Sequence, residues 1–559
     1  MKARTKKTKP KKEKGKTMGG FWFWVFGGLL CVLVGSIMTW HINRPFVGLH
    51  SLGQAHFAWV ARSHVKYGLG YTKGLNTFAV GDPPAEKPSW YLDHPQLGGL
   101  LDAAGMAVLG VNVWSVRVLH ALGTIATLLV FLKLLRRLLD PMPALLAGLL
   151  FCLFPLTGYF GTYNMWLYPL VFWAFWCYLV LIGGLKDGPK PSKFHKWTLA
   201  VALFLGLQLT WEGFFWALAI GVHYVFRCIR RRQFPDKVLL AILIVAPLSS
   251  LVLDFAIMAA GHGWDYQRIA DLYKWRAGAG EMQEHEWGKW FAKFWEFAVM
   301  NFSWPVLILA VGYLTVGQFF AFTPPGQKRD RGRKTEAPRR FPHLWLFLLP
   351  AIFQLFLLKG TLWHHHYWER PLIPLIAVAA AMGITVVADI LTKIHSLLAK
   401  ISTIALVGVI AIWSWKGLTH YYSIRHFSPA KVKLFEMLNK QIQPDQALLS
   451  FESFIFDQHR AKKAGYRPEV AWYLDREVVS VTNVEEIQKH AQTGRFRYYL
   501  MPATHYDRRA VPYLTALSKQ LEQRYGKPRS IQGDPGGPSK APMLPYLIFD
   551  LSSNSPGSR

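Results

Sequence analysis

Between two apolar blocks, residues 41–113 concentrate side chains that exchange protons and accept hydrogen bonds: His50, Gln54, His56, Arg62, and then Asp93 and His94. A connection this long, rich in His, Trp, Tyr and Pro, is expected to carry function rather than merely join two elements. A second set lies in 261–301, where Arg268, Lys274 and Arg276 precede a glycine-rich bend. Cations grouped in this way are suited to pairing with a phosphate through charge-assisted hydrogen bonds. The third set is GTLWHHHYWERP at 360–371. Successive helical residues point about 100° apart, so three adjacent histidines cannot share one site. One of His364 and His366 is expected to join Tyr367 and Glu369 in a pocket, with Arg370 beside them. No clear ligand set for a divalent metal emerges, because that chemistry needs ligands spaced along one face.

What must position these groups is membrane. Of the 559 residues, 52% are hydrophobic and 24 are Trp. The apolar residues come in blocks long enough, at 1.5 Å per residue, to cross about 30 Å of hydrocarbon. We read about eleven spans, near 21–40, 114–135, 143–160, 165–185, 197–210, 213–226, 238–260, 302–322, 343–359, 371–391 and 401–417. The fifth and sixth are short and meet at Trp211-Glu212, read as a tight hairpin. The alternative is one long tilted helix over 197–226. Charge decides: with eleven spans the basic segments 133–137, 186–196, 227–237, 328–340 and 393–400 all face the cytoplasm, as the positive-inside rule expects. Merging the pair would put three of them outside.

Residues 1–20 carry nine basic groups and read as a disordered cytoplasmic topology anchor. The net charge of +31 is spread over cytoplasmic loops and the C-terminal region, which implies orientation and affinity for acidic membrane lipids, not nucleic acid. Cys31, Cys152, Cys177 and Cys228 fall in or at the ends of spans with no metal or disulfide spacing. The stripe Trp287, Trp290, Phe291, Phe294, Trp295 has helical spacing and suits an interfacial helix. The membrane domain therefore covers 21–419, with outward loops 41–113 and 261–301. Beyond it, residues 420–559 are soluble in composition. Strand-like ALLSF, EVVSV, FRYYLMP and LPYLIFD alternate there with helical patterns near 429–441, 483–492 and 509–525, predicting a small extracytoplasmic α/β domain. No Gly-rich phosphate fingerprint follows any of these strands.

The first loop also carries a resemblance. A span is followed by Arg44-Pro45, HSLGQAH, Ala61-Arg62, the acid-His-Pro element Asp93-His94-Pro95, and then Val116-Arg117 opening span two. This order resembles the GT-C superfamily of integral-membrane glycosyltransferases, in the bacterial branch similar to protein O-mannosyltransferases and lipid A aminoarabinose transferases. The resemblance implies an enzyme of the bacterial inner membrane, with its N-terminus cytoplasmic and its C-terminal domain periplasmic or extracellular. It implies a polyprenyl-phosphate sugar donor, a glycan, lipid or protein acceptor, and an acidic residue in the first outward loop that activates that acceptor. The chain departs from the pattern at this point. Many relatives show an Asp-Glu pair before the Ala-Arg where this sequence has Gly53-Gln54, a related branch has an acid where His56 stands, and GTYNMWLYP in the second outward loop has none.

Three residues are left to replace the missing base. His56, with an ordinary pKa near about 6.5, can take a proton from a hydroxyl. Asp93 lies in the acid-His-Pro element, and Glu212 sits at an outward helix turn. Structural roles weigh against each: a hydrogen-bonded buried imidazole, a helix N-cap ahead of Pro95, an interfacial carboxylate. Asp93 is favoured, with His56 in support. The leaving phosphate needs cations in a site shielded from water, which Arg62, Lys274, Arg276, His366 and Arg370 are placed to supply, with His50, Gln54, His94 and Tyr367 lining the site. Two other readings compete. A non-catalytic chain that binds a lipid-linked sugar would explain the missing acids. A lipid or solute transporter would need internal repeats and mid-membrane ionisable groups, whereas the ionisable groups cluster at outward helix ends.

Overall fold

The computed structural model describes residues 18–92, 94–185, 188–263, 266–277, 286–317, 343–363, 365–454, 466–503, 510–531 and 545–554. Asp93, His364, the basic tail before Met18 and the basic segment 328–340 lie outside these, as does the side chain of Arg268. Most of the chain is helical. Helix α1 (Met18–Thr39) leads into α2 (Ser51–Thr72), a two-residue hairpin of β1 (Thr77–Phe78) and β2 (Ser89–Trp90), and α3 (Leu97–Leu109). The first loop is thus folded in its own right. There follow α4 (Val113–Leu138), α5 (Pro141–Leu153), α6 (Pro155–Phe160), α7 (Leu167–Leu181), α8 (Lys193–Leu209), α9 (Glu212–Arg231) and α10 (Lys237–His262). Next come α11 (Tyr266–Ala277), α12 (Trp287–Phe302), α13 (Trp304–Gly312), α14 (Leu344–Leu357), α15 (Ile373–Ile394) and α16 (Ser396–Ser423).

Helices coincide with each of the apolar blocks read from the sequence. By length and composition, five are able to cross a membrane: those at Gly20–Thr39, Val113–Leu138, Lys237–Gly261, His366–Ile394 and Ser396–Ser423. A sixth candidate is α12 with the segment 304–316, bent by 107° at Ser303, whose φ of 70° lies in the left-handed region. Pro305 follows at the start of α13 and cannot continue the preceding hydrogen-bond ladder. The chain does turn back at residues 210–211: α8 ends at Leu209, Thr210 is extended and α9 begins at Glu212. Gly213 permits this close return, since a Cβ there would lie 3.0 Å from the Gly206 carbonyl oxygen. The interfacial stripe is only partly exposed: Trp290 is buried and donates to the Lys359 carbonyl, while Trp287, Phe291 and Trp295 stay open.

Residues after α16 form the α/β unit. Helices α17 (Pro429–Gln441), α18 (Pro468–Leu474), α19 (Val484–Ala491) and α20 (Val511–Tyr525) pack on a mixed sheet of order β4-β3-β5-β7-β6. Its strands are β3 (Ala447–Ser450), β4 (Val478–Ser480), β5 (Phe496–Pro502), β6 (Arg529–Ile531) and β7 (Tyr546–Asp550). β3 runs parallel to β4 and β5; β7 is antiparallel to β5 and β6. This unit is docked on the first loop through α18 and α2. Ser51 donates to Glu469 at 2.7 Å, and the Phe46 N–H donates to the Tyr473 hydroxyl at 2.6 Å. Arg62 reaches across to the Trp472 and Ala471 carbonyls at 2.7 and 2.8 Å and to Asp475 at 3.2 Å, with Lys66 closing on Asp475 at 2.7 Å.

His64, on the same helix, makes this region acid-sensitive. It is buried, and its Nδ1 lies 2.9 Å from Thr72 Oγ1, which itself donates to the Gly68 carbonyl. The imidazole therefore donates from Nδ1, and Nε2 has no partner among the described residues. Burial pushes its pKa down to about 4. Between there and the unfolded value near about 6.5, the unfolded chain binds a proton that the folded chain refuses, so stability falls as pH falls through that window. Thermal unfolding at pH 5 should show a loss of about 2 kcal/mol relative to pH 7.5 from this group, and His64→Gln should flatten the dependence by that amount. An unchanged slope in the variant would exclude His64 as its source.

Candidate functional site

Where α2, α3 and α4 meet the turn at 162–166, a pocket is lined by Gln54, Phe57, His94, Asp102, Arg117, His120 and Tyr163 among others. Each wall has a local cause. The acid-His-Pro turn is clamped by Gln96, whose amide donates to the His94 carbonyl at 2.7 Å while its oxygen accepts the Asn76 N–H at 2.6 Å. Pro95 then leads into α3. The His94 ring packs against Phe57 and Tyr91, and its Nε2 lies 3.5 Å from Arg276 Nη2 on α11. Gln54 accepts from Arg117 at 2.9 Å, and Arg117 spends its other nitrogen on the carbonyls of Ile42 (3.0 Å) and Arg44. Arg117 therefore pins the entry to α2 rather than facing a ligand.

Two residues the sequence reading passed over stand in this pocket. Asp102 on α3 and His120 on α4 are both buried, with Oδ1 and Nε2 3.2 Å apart. His120 Nδ1 accepts the Met165 N–H at 3.4 Å, which leaves Nε2 on the side of the carboxylate. The signal was present. Asp102 is the lone acid of an apolar helix and His120 the lone histidine of an apolar span, placements that are costly without a partner. The missing Asp-Glu pair also acquires a physical reason. A Cβ at Gly53 would lie 2.8 Å from the Tyr163 hydroxyl, so that slot is filled from the turn at 162–166.

Behind Tyr163 lies a second cluster. His50, left-handed with φ 55°, opens α2 and places Nε2 2.8 Å from His366 Nδ1, with the rings of His365, Tyr367 and His426 around it. Desolvation, then the neighbouring imidazoles and Arg370, hold His50 well below the ordinary imidazole range, so it is neutral. His366 thus joins His50, and Tyr367 stacks under Arg370 at 4.7 Å. Arg370 donates to the carbonyls of Tyr163 (2.9 Å) and Asn164 (3.2 Å), tying the turn at 162–166 to the 366–372 turn. Glu369 is fully buried and accepts from Asn301 at 3.0 Å.

Several expectations change. Arg62 is not a donor cation facing a ligand; its guanidinium is committed to two carbonyls and Asp475. His56 is enclosed by Phe78 and Tyr91 and bonded to Tyr466 at 2.5 Å, which is the buried, hydrogen-bonded alternative. Glu212 is buried, accepting from Tyr168 at 2.5 Å and Trp216 at 3.4 Å, and is not among the residues around His94. Arg276 is half-buried beside His94, while Lys274 is exposed two residues away. What sequence could not supply is the partner of each group: Arg62 and Asp475 are 413 positions apart.

With these elements in place, the chain is an integral membrane protein whose pocket lies where the folded first loop meets its helix ends. Its fold is that of solved structures of ArnT from Cupriavidus metallidurans. In complex with undecaprenyl phosphate that protein superposes with a TM-score of 0.59 at 12% identity, covering 95% of this chain and 98% of the other. In the apo state the values are 0.58, 13%, 97% and 100%. Residues 93–253 match the family described as dolichyl-phosphate-mannose-protein mannosyltransferase. The undecaprenyl phosphate-alpha-4-amino-4-deoxy-L-arabinose arabinosyl transferases of Pseudomonas aeruginosa PAO1 and Pseudomonas paraeruginosa PA7 are each 27% identical over 270 residues. That match covers 47% of this chain and 46% of theirs, so the chain spans about half the length of these relatives.

Proposed function

We propose that the protein is a membrane glycosyltransferase that moves a sugar from a polyprenyl-phosphate carrier to a glycan, lipid or protein acceptor at the outer face of a bacterial plasma membrane. The observation that carries this is the pocket itself: it is lined by His94 and by a buried carboxylate–histidine pair, and the Arg276 guanidinium of α11 approaches that His94 at 3.5 Å. In this reading the acceptor hydroxyl gives its proton to a carboxylate as its oxygen bonds the sugar's anomeric carbon. The bond from that carbon to the phosphate oxygen breaks, and the polyprenyl phosphate leaves, its charge met by Arg276 and His94. Two acids are available, Asp93 next to His94 in sequence and Asp102. We assign the proton to Asp102, because it lines the pocket with His120 Nε2 3.2 Å away, and keep Asp93 as the alternative.

The orientation that serves this chemistry has eleven spans, the N-terminus inside and residues 420–559 outside. Basic last turns support it: Arg136 and Arg137 end α4, Arg230 and Arg231 end α9, and Lys393 ends α15, all on the side away from the pocket. The likeness to an undecaprenyl-phosphate-bound fold supports the carrier. A chain that binds the carrier without transfer is the second reading, because the Tyr163 hydroxyl stands where relatives place an acid. Purification of the full chain from its native membrane, with mass spectrometry of copurifying lipid and a transfer assay, tests both. Polyprenyl-phosphate sugar and turnover are expected. Bound carrier with no turnover on native acceptors selects the second reading, and no carrier at all removes both.

A further inference from the structure

Some 15 residues along α9 from Glu212, about 22 Å at 1.5 Å per residue, a different site lies at the opposite end of the helices. A cavity of about 390 Å³ opens there between Ile182, Pro191, α8, α9 and the start of α10, lined by Lys196, Tyr224, Arg227, Arg231, Phe234 and Asp236. Its single described acid is already occupied. Asp236 Oδ1 caps α10 by accepting the Val238 and Leu239 N–H groups at 2.9 and 3.0 Å, and Oδ2 pairs with Lys196 at 3.1 Å. Arg227 donates once, to the Ile182 carbonyl at 2.5 Å. Among the described residues neither Arg227 nor Arg231 has a carboxylate partner, although they stand at i and i+4 on one face, where like charges repel. Such a pair is stabilised by an anion placed between them.

A second observation says what kind of anion. An apolar groove of about 480 Å³ runs up the seam of α8 and α10, walled by Ala200 and Phe204 on one side and Ala241, Ile242 and Val245 on the other. It begins where the cavity ends: Ala200 is one turn beyond Lys196, and Val238 of the groove adjoins Leu239 of the cavity. From Val238 to Ser249 it extends 11 residues, about 16 Å, which is roughly half of a hydrocarbon core about 30 Å thick. That is the depth of one leaflet. The rim carries Phe194, Trp197 and a fully exposed Phe234, side chains that anchor at a membrane interface.

We propose that this cavity and groove together form a binding site for an anionic glycerophospholipid of the leaflet facing the basic helix ends, with the phosphate held by Arg227, Arg231 and Lys196 and one acyl chain laid between α8 and α10. Basic pockets between transmembrane helices take acidic lipid headgroups in this way. The site is independent of the pocket at His94 and of the sugar-transfer reading. It ties α8 to α10, and so steadies the hairpin whose turn carries Glu212.

Delipidated full-length protein in detergent, titrated with phosphatidylglycerol and followed by native mass spectrometry, tests the proposal. Phosphatidylglycerol should bind at least about tenfold tighter than phosphatidylcholine, whose phosphate is the same but whose quaternary ammonium meets the cations Lys196, Arg227 and Arg231 of the cavity. The Arg231 side chain makes no hydrogen bond among the described residues, so Arg231→Gln should leave the fold intact and weaken phosphatidylglycerol by about tenfold; Arg227→Gln/Arg231→Gln should weaken it further. Ala241→Trp, which fills the groove and keeps every charge, should weaken both lipids. Equal affinity for the two lipids, or unchanged binding in Arg231→Gln, overturns the headgroup site. Inorganic phosphate at millimolar concentration displacing the lipid makes it a free-anion site, and displacement by polyprenyl phosphate makes it a carrier site. Either outcome overturns the proposal.

Discussion

Asp102→Asn is expected to slow sugar transfer by about 10²–10⁴-fold while carrier binding stays within about twofold, because loss of general-base help costs that much and asparagine keeps the shape. The carboxylate is 3% exposed and its Oδ1 lies 3.2 Å from His120 Nε2, so it is not buried alone. Asparagine keeps the size of the side chain and an oxygen beside His120, which guards against the loss of about 3–5 kcal/mol that follows when a buried partner is simply removed. Thermal unfolding of the variant should therefore stay near that of the parent. Asp93→Asn is the necessary comparison. If it abolishes transfer while Asp102→Asn turns over normally, the base is Asp93 and the Asp102–His120 pair only holds α3 to α4.

The fold was largely legible because its determinants are local. Apolar blocks mark the helices, and basic residues mark the ends of α4, α9 and α15 away from the pocket. The strand-like runs FRYYLMP and LPYLIFD mark β5 and β7, which pair with each other in the sheet. Even the break at residues 210–211 could be read, since merging α8 and α9 would have misplaced three basic segments. Site residues were harder, for a specific reason. Residue type showed that Arg62, His56 and Glu212 were unusual, but not what answered them. Arg62 meets Asp475, His56 meets Tyr466 and Glu212 meets Tyr168, all contacts made by chain that is distant or on another helix. The absence of an acid at Gly53 read as lost chemistry until Tyr163 was seen to fill the space. Conversely, Asp102 and His120 were concealed by their apolar neighbours, though those same neighbours are what make the pair costly and hence informative.

Arg276→Ala is expected to weaken binding of a polyprenyl-phosphate analogue by about ten- to a hundredfold, and His94→Ala by less. Arg276 is half-buried, its Nη2 is 3.5 Å from His94 Nε2, and its Nε has no hydrogen-bond partner among the described residues. A guanidinium so placed, with an imidazole rather than a carboxylate before it, has donors left for an anion. A charge-assisted contact to phosphate is worth roughly 1.5–3 kcal/mol, which is the range of affinity given above. Arg276→Lys should recover only part of the loss, because a lysine supplies the charge without the planar fork. Lys274, two residues back on α11, points about 200° away around the helix and is exposed, so Lys274→Ala should change affinity less than about threefold. Titration of each variant in detergent with a short-chain polyprenyl phosphate separates the cases. Equal losses for Lys274→Ala and Arg276→Ala would mean that α11 attracts the carrier through its overall charge. Full affinity in Arg276→Ala would assign this arginine to orienting His94 and leave the phosphate to other donors of the pocket.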